Sequence, residues 1–160
     1  MAGKSPIEMM EIVATGFGDL LEKVVFVGGA TTALYYEDSA AQSIRPTKDV
    51  DCIVKPGSRM KFYQFEEDLS RRGFRHDITQ GAPLFRWLYD DVIVDVMPID
   101  EGILGFSNKW YADGMANATT VNLPSGQDIS ILSLPYFIAT KIEAHKNRGG
   151  GDYLYYRKKI

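Results

Sequence analysis

The sequence predicts an α+β fold, in which a mixed β-sheet is flanked by helices within a single domain over residues 1–160. Segments with strand-like and helix-like patterns follow one another irregularly, without an internal repeat. The composition, 45% hydrophobic and 24% charged, is typical of a globular chain. No change in composition marks a linker, and a chain of this length buries roughly two-thirds of its unfolded surface. One core therefore suffices.

The first half of the chain begins with a helix signal. Ser5-Pro6-Ile7-Glu8 matches a capped helix start, and apolar residues then recur at helical spacing. Gly28-Gly29 ends a short apolar run, and Pro56-Gly57 ends another. The predicted elements are a helix over about 6–22, a strand over 24–27, helical residues over 30–36, a strand over 49–55 and a helix over 58–72.

The second half contains a hairpin signal. Asp90-Asp91 separates two β-prone runs, and Pro98 ends the second of them. Ser133-Leu134-Pro135 is typical of a helix start, and the glycines at 149–151 predict where that helix ends. The predicted elements are strands over about 74–77, 83–89 and 92–97, a short helix over 108–115, strands over 119–121 and 128–131, and a helix over 133–146.

Charge and cysteine content limit the partners and the compartment. A formal net charge of -3 provides no overall field for a polyanion, so a nucleic acid would need a local patch, for which Arg157-Lys158-Lys159 is a small candidate. Cys52 is the one cysteine, which favours a reducing compartment. Neither a secretory signal nor a membrane-length apolar run is present, so we expect a cytoplasmic protein without a membrane partner.

Two carboxylates stand at the start of the strand over 49–55. Asp49 and Asp51 are two residues apart, so they project from the same face of the strand. Like charges this close repel each other unless a cation lies between them, and Mg²⁺ suits carboxylate oxygens. Asp95 interrupts the apolar strand over 92–97 and needs a partner or a function. Three such acids could hold two metal ions.

Gly28-Gly29 links a strand to a helical segment, and a turn without side chains lets backbone N–H groups approach a triphosphate. Thr31 and Thr32 could add hydroxyl donors. Each signal alone is weak, since Asp-x-Asp spacings arise by chance and Gly-Gly is more often a plain turn. His76 and His145 have no Cys or His at ligand spacing, so zinc is not expected.

The segments FVGGAT, RPTKDVDCIV, IVDVMP and PYFIATKIEAHKNRGGGDYL together resemble the nucleotidyltransferase superfamily related to DNA polymerase β, and within it the bacterial AbiEii-type toxin branch. The resemblance spans about residues 24–154. It implies a mixed-sheet fold and the transfer of a nucleoside monophosphate from a nucleoside triphosphate to an acceptor hydroxyl on RNA (tRNA-like), a protein or a small molecule. It also implies Mg²⁺ or Mn²⁺ as cofactor, and an antitoxin protein as partner.

The resemblance also assigns roles to residues. It implies that Gly28 and Gly29 cradle phosphates, that Asp49 and Asp51 hold the metals, and that Asp95 is a third ligand or a base. Lys141 matches a lysine of the late helix that contacts phosphate, and Asp152 matches an acid after the glycine-rich turn. Relatives continue into a helix bearing a further acid, so we expect the carboxyl-terminal end to be short after about 152.

Two other functions fit parts of the pattern. One is a catalytically incomplete module of the same fold that binds a nucleotide or a partner protein without turnover. The other is a two-metal phosphoesterase or nuclease, which also uses clustered carboxylates but does not need a glycine cradle. The early glycines argue against this last function.

Overall fold

The computed structural model describes residues 3–36, 47–105 and 107–150. Its helices are α1 (Pro6–Phe17), α2 (Arg59–Arg71), α3 (Glu101–Leu104), α4 (Tyr111–Ala116) and α5 (Leu134–Gly150), with 3-10 helices at Gly18–Lys23 and Gly29–Tyr35. Its strands are β1 (Val24–Val27), β2 (Asp49–Val54), β3 (Arg75–His76), β4 (Arg86–Tyr89), β5 (Val92–Pro98), β6 (Thr119–Asn122) and β7 (Asp128–Ile131).

The seven strands form a mixed sheet in the order β3-β4-β5-β2-β1-β7-β6. Strand β2 runs parallel to β5, and β1 runs parallel to β7. The remaining neighbours pair antiparallel, including β1 with β2 and β4 with β5. Helices flank this sheet, which confirms the predicted fold class.

The two faces of the sheet differ. One face, called the core face below, carries Val50, Cys52, Val94 and Val96, and it packs against α1 and α2 in the larger apolar cluster. Alternate residues of the same strands face the other way, because side chains alternate along a strand. On that side, a smaller apolar cluster packs against α5, and it contains Val25, Val27, Ile53, Leu132 and Phe137. Cys52 is fully buried.

Several predicted helix boundaries need correction. The first α-helix ends at Phe17 and not near residue 22, because Gly18 has a φ of 53° and the chain continues as a 3-10 helix. Residues 29–35 form a 3-10 helix, in which the Thr31 N–H bonds to the Gly28 carbonyl three residues back. Helix α5 extends to Gly150, since glycine weakens a helix without forbidding it. The short α3 was not predicted.

The predicted hairpin is confirmed. Asp90 and Asp91 have φ angles of 45° and 65°, which is the pair of positive φ values that a tight type I′ connection requires. The turn fixes the register, so that Tyr89 pairs with Val92 and Arg86 pairs with Asp95. Among the described residues, no helix combines the length and the apolar character needed to cross a bilayer.

Candidate metal and nucleotide site

Three acidic side chains meet on the face of the sheet opposite the core face. Asp51 of β2 pairs directly with Asp95 of β5, and Asp49 lies two residues before Asp51. Residues paired across neighbouring strands point to the same side, so all three carboxylates share one face. We call this the acid face. One oxygen from each carboxylate lies within 4.8 Å of the others. The strand register therefore produces the convergence that the sequence pattern predicted.

The three acids are not equally accessible. Asp49 and Asp51 are half-buried, whereas Asp95 is 4% exposed. Asp95 lies between buried Val94 and Val96 in the middle of β5, and β5 is covered by β4 on one side and by β2 on the other. Solvent can thus reach Asp49 and Asp51 more easily than Asp95.

Sequence analysis missed Arg86, which also belongs to the site. Its Nε donates to Asp95 Oδ1 at 2.8 Å, and its second guanidinium nitrogen donates to Asp95 Oδ2 at 3.0 Å. The guanidinium also lies 3.8 Å from Asp49 Oδ2. Such a two-pronged contact is the strongest form of an arginine–carboxylate pair. The hairpin contained the signal, because a two-residue turn at Asp90-Asp91 places Arg86 opposite Asp95.

The pKa of Asp95 is raised above its ordinary value, mainly by burial. The hydrogen bonds and the charge of Arg86 lower the pKa of Asp95, without fully offsetting burial, and the nearby Asp49 carboxylate raises it further. The pKa of Arg86 is raised, chiefly by its hydrogen bonds to Asp95. Burial removes a carboxylate from water and disfavours its charged form, so the site needs positive charge.

Gly28 packs against the side chain of Asp51. Its φ is 76° and its ψ is -166°, a conformation that only glycine adopts readily. A Cβ at this position would collide with the Asp51 carboxylate. Gly29 differs, since a Cβ there would come no closer than 3.7 Å, to Thr47 Oγ1. The first glycine of the pair is therefore required by this packing, and the second is not.

Threonines support the turn and one of the acids. Thr31 is buried, and its hydroxyl donates to the Gly28 carbonyl at 2.8 Å. Thr32 is half-buried. The Thr47 hydroxyl donates to Asp49 Oδ1 at 3.2 Å, a contact that sequence analysis did not identify. The predicted contact of Thr31 and Thr32 with a nucleotide stays a prediction, and the Thr31 hydroxyl holds the turn.

Lys141, Asp152 and the two histidines are the other residues singled out from the sequence. Lys141 is exposed on α5, and its ammonium lies 4.9 Å from the centre of the Phe137 ring. Phe137 packs in the cluster on the acid-face side of the sheet, so α5 runs over the same side as the three acids. Asp152 lies outside the described residues. His76 and His145 are both exposed, and His76 stacks on Trp87 at 3.6 Å.

The donor set suits a hard divalent cation. Magnesium and manganese prefer oxygen ligands, and Asp49, Asp51 and Asp95 offer carboxylate oxygens at a spacing that one ion could bridge. Across the described ranges, no other group of three or more His, Cys, Asp or Glu side chains has this spacing. Asp49 and Asp51 are half-buried, whereas Asp95 is buried with both oxygens accepting from Arg86, so an ion from solvent reaches Asp49 and Asp51 more easily.

A solved structure shares this architecture. The chain is similar to an antigenic nucleotidyltransferase-like protein from Paracoccidioides brasiliensis, with 18% sequence identity and a TM-score of 0.63. The match covers 94% of this chain and 70% of that chain. No protein-family model matches the sequence, and no curated protein matches it. The protein therefore has a nucleotidyltransferase-like fold.

Proposed function

We propose that this protein is a metal-dependent nucleotidyltransferase, which moves a nucleoside monophosphate from a nucleoside triphosphate to an acceptor hydroxyl. The observation that supports it is the approach of three carboxylates, from two parallel strands, to within 4.8 Å of one another beside the Gly28 turn. The nucleotidyltransferase-like fold supports the same reaction class. The cofactor proposed is Mg²⁺ or Mn²⁺.

The residues would act mainly by positioning. Asp49 and Asp51 would hold the metal, whose charge would offset that of the phosphates and of the attacking oxygen. The resemblance gives Asp95 the role of third ligand or base. Gly28 and Gly29 would bring backbone N–H groups to the triphosphate, with Thr31, Thr32 and Lys141 as further contacts and Asp152 as a further acid.

The finer assignment rests on the motifs quoted above. They support the AbiEii-type branch, an acceptor that is an RNA (tRNA-like), a protein or a small molecule, and an antitoxin as partner. The single cysteine supports a cytoplasmic location. A single domain over residues 1–160 is part of the same proposal. None of these points follows from the fold.

The test is transfer of label from an α-labelled nucleoside triphosphate to cell-extract RNA or protein, with Mg²⁺ or Mn²⁺. Asp49→Asn and Asp51→Asn should each lower transfer by at least about 100-fold, because each removes a charge on which the chemistry depends. Asp91→Asn is the matched control, since Asp91 is exposed in the hairpin turn and asparagine tolerates its positive φ. Wild-type transfer by either site variant would refute the proposal.

One observation favours a second candidate, a nucleotide- or partner-binding module without turnover. Arg86 already neutralises Asp95, the acid to which the resemblance assigns a catalytic role. Calorimetry with triphosphate and Mg²⁺ should be run beside the transfer assay. Binding without transfer would favour the module. Hydrolysis of nucleic acid without pyrophosphate release would instead favour a phosphoesterase or nuclease.

A further inference from the structure

We propose that Arg86 is a built-in cation for Asp95, so that a divalent ion binds on Asp49 and Asp51 and the third carboxylate is held by the guanidinium. This inference rests on the proposed function, because it concerns the metal of that site. It makes Arg86 a positioning residue that sets how strongly the site attracts metal.

The geometry of the Arg86–Asp95 pair restricts the access of a metal ion to Asp95. Arg86 and Asp95 are direct partners across the β4-β5 hairpin, so the backbone register holds both side chains in place. Both oxygens of Asp95 accept from Arg86, at 2.8 Å and 3.0 Å, and the Asp95 side chain is 6% exposed. An ion approaching from solvent would have to displace a two-pronged, largely buried pair to reach Asp95.

The net charge of the three carboxylates and Arg86 matches one divalent ion. Three carboxylates and one guanidinium leave two negative charges in the cluster, which one divalent ion would neutralise. Arg86 also lies 3.8 Å from Asp49 Oδ2, so it repels an ion bound there. Within a few ångströms, a unit charge changes the affinity for a divalent ion by about tenfold even at the dielectric of water.

The experiment measures Mn²⁺ binding to the full chain without nucleotide, by electron paramagnetic resonance of free Mn²⁺. Arg86→Gln should bind Mn²⁺ at least about tenfold more tightly than wild type, because the repelling charge is gone and Asp95 is released. Arg86→Lys keeps the charge and should bind like wild type. Arg75→Gln is the matched control, since Arg75 is exposed on β3, one strand further from the acids. A purely structural arginine would not increase metal affinity when removed.

A double variant keeps the test valid if Arg86→Gln alone does not fold. Arg86→Gln combined with Asp95→Asn removes both partners, which leaves no orphaned charge and preserves the net charge of the cluster. We expect it to bind Mn²⁺ like wild type, since Asp49 and Asp51 remain. Loss of binding in the double variant would show that Asp95 is a ligand and would overturn the inference.

Equal or weaker binding by Arg86→Gln, relative to Arg75→Gln, would also overturn it. The outcome is separable from the proposed function. If wild type transfers nucleotide but Arg86→Gln gains no affinity, only the inference fails. If Arg86→Gln gains Mn²⁺ affinity but neither it nor the wild type transfers nucleotide, the inference stands and the transferase proposal fails.

Discussion

The two faces of the central sheet use the same strands for opposite purposes. On β2 and β5, the core face presents Val50 and Val94, which are fully buried against α1 and α2. The neighbouring residues on the acid face are Asp51 and Asp95. One face therefore excludes water and provides stability, whereas the other concentrates charge at a cost in stability. The alternation of a β-strand is enough to separate these two roles by a single residue.

The largest expected effect comes from moving a charge to the wrong face. Val94→Asp should lower the free energy of unfolding by at least about 4 kcal/mol, because it buries an unpaired carboxylate in the core. Ile93→Asp is the control, since Ile93 is half-buried on the acid face and pairs with Asp49. Urea unfolding should show a clearly smaller loss for Ile93→Asp. Equal losses would mean that the two faces do not differ as described.

Gly28 provides the next test, at the edge of the acid face. Gly28→Ala should cost about 1–3 kcal/mol of stability and should weaken Mn²⁺ binding, because its backbone conformation is unfavourable for alanine and the new Cβ strikes the Asp51 carboxylate. Gly29→Ala has room for a Cβ and should change neither quantity appreciably. Thermal unfolding and Mn²⁺ titration of the two variants decide the point. Similar effects from both would contradict the assigned role of Gly28.

A smaller effect is expected where a helix covers the core face. Ser5 caps α1, with its hydroxyl accepting from the Glu8 N–H while the Glu8 side chain accepts from the Ser5 N–H. Ser5→Ala should cost about 1 kcal/mol in urea unfolding. Mn²⁺ affinity should stay unchanged, since α1 packs on the other side of the sheet. Ser70→Ala, at an exposed position inside α2, should cost less. A change in the Mn²⁺ affinity of Ser5→Ala would contradict this separation and show that the two faces are energetically coupled.

The last test needs no substitution, because the labelling rate of Cys52 measures how closed the core face is. Burial raises the pKa of the Cys52 thiol well above its ordinary value, and the negative charges of Asp51 and Asp95 add to the shift. The thiolate is the reactive form, so iodoacetamide should label the folded protein far more slowly than the urea-unfolded protein. Rapid labelling under native conditions would show that the core face opens.

Much of this comparison could be predicted from the sequence, because it depends on local patterns. The spacing of Asp49 and Asp51 fixes a shared face, and the apolar residues around Asp95 identify a strand. The turn at Asp90-Asp91 was predicted as well, and its register would have placed Arg86 opposite Asp95. Arg86 has no signal of its own within β4, because only the paired positions of the hairpin connect it to Asp95.

Other features depend on contacts that are distant in sequence. The parallel pairing of β2 with β5, which aligns Asp51 with Asp95, follows from the packing of the whole sheet. The collision that excludes a side chain at Gly28 involves a residue of another strand. The 3-10 geometry of residues 29–35 reflects the local hydrogen bonds of Thr31 to the Gly28 carbonyl. Neither hydrophobic periodicity nor turn propensity contains this information.

The central claim is that Asp49 and Asp51 bind a divalent ion beside the Gly28 turn. The most direct measurement is a crystal structure with Mn²⁺ and a non-hydrolysable nucleoside triphosphate, using the anomalous signal of manganese. We expect a manganese peak at about 2.0–2.3 Å from an oxygen of Asp49 and of Asp51, with phosphate oxygens facing Gly28 and Gly29. A nucleotide bound elsewhere, with no manganese peak between these two carboxylates, would contradict the account.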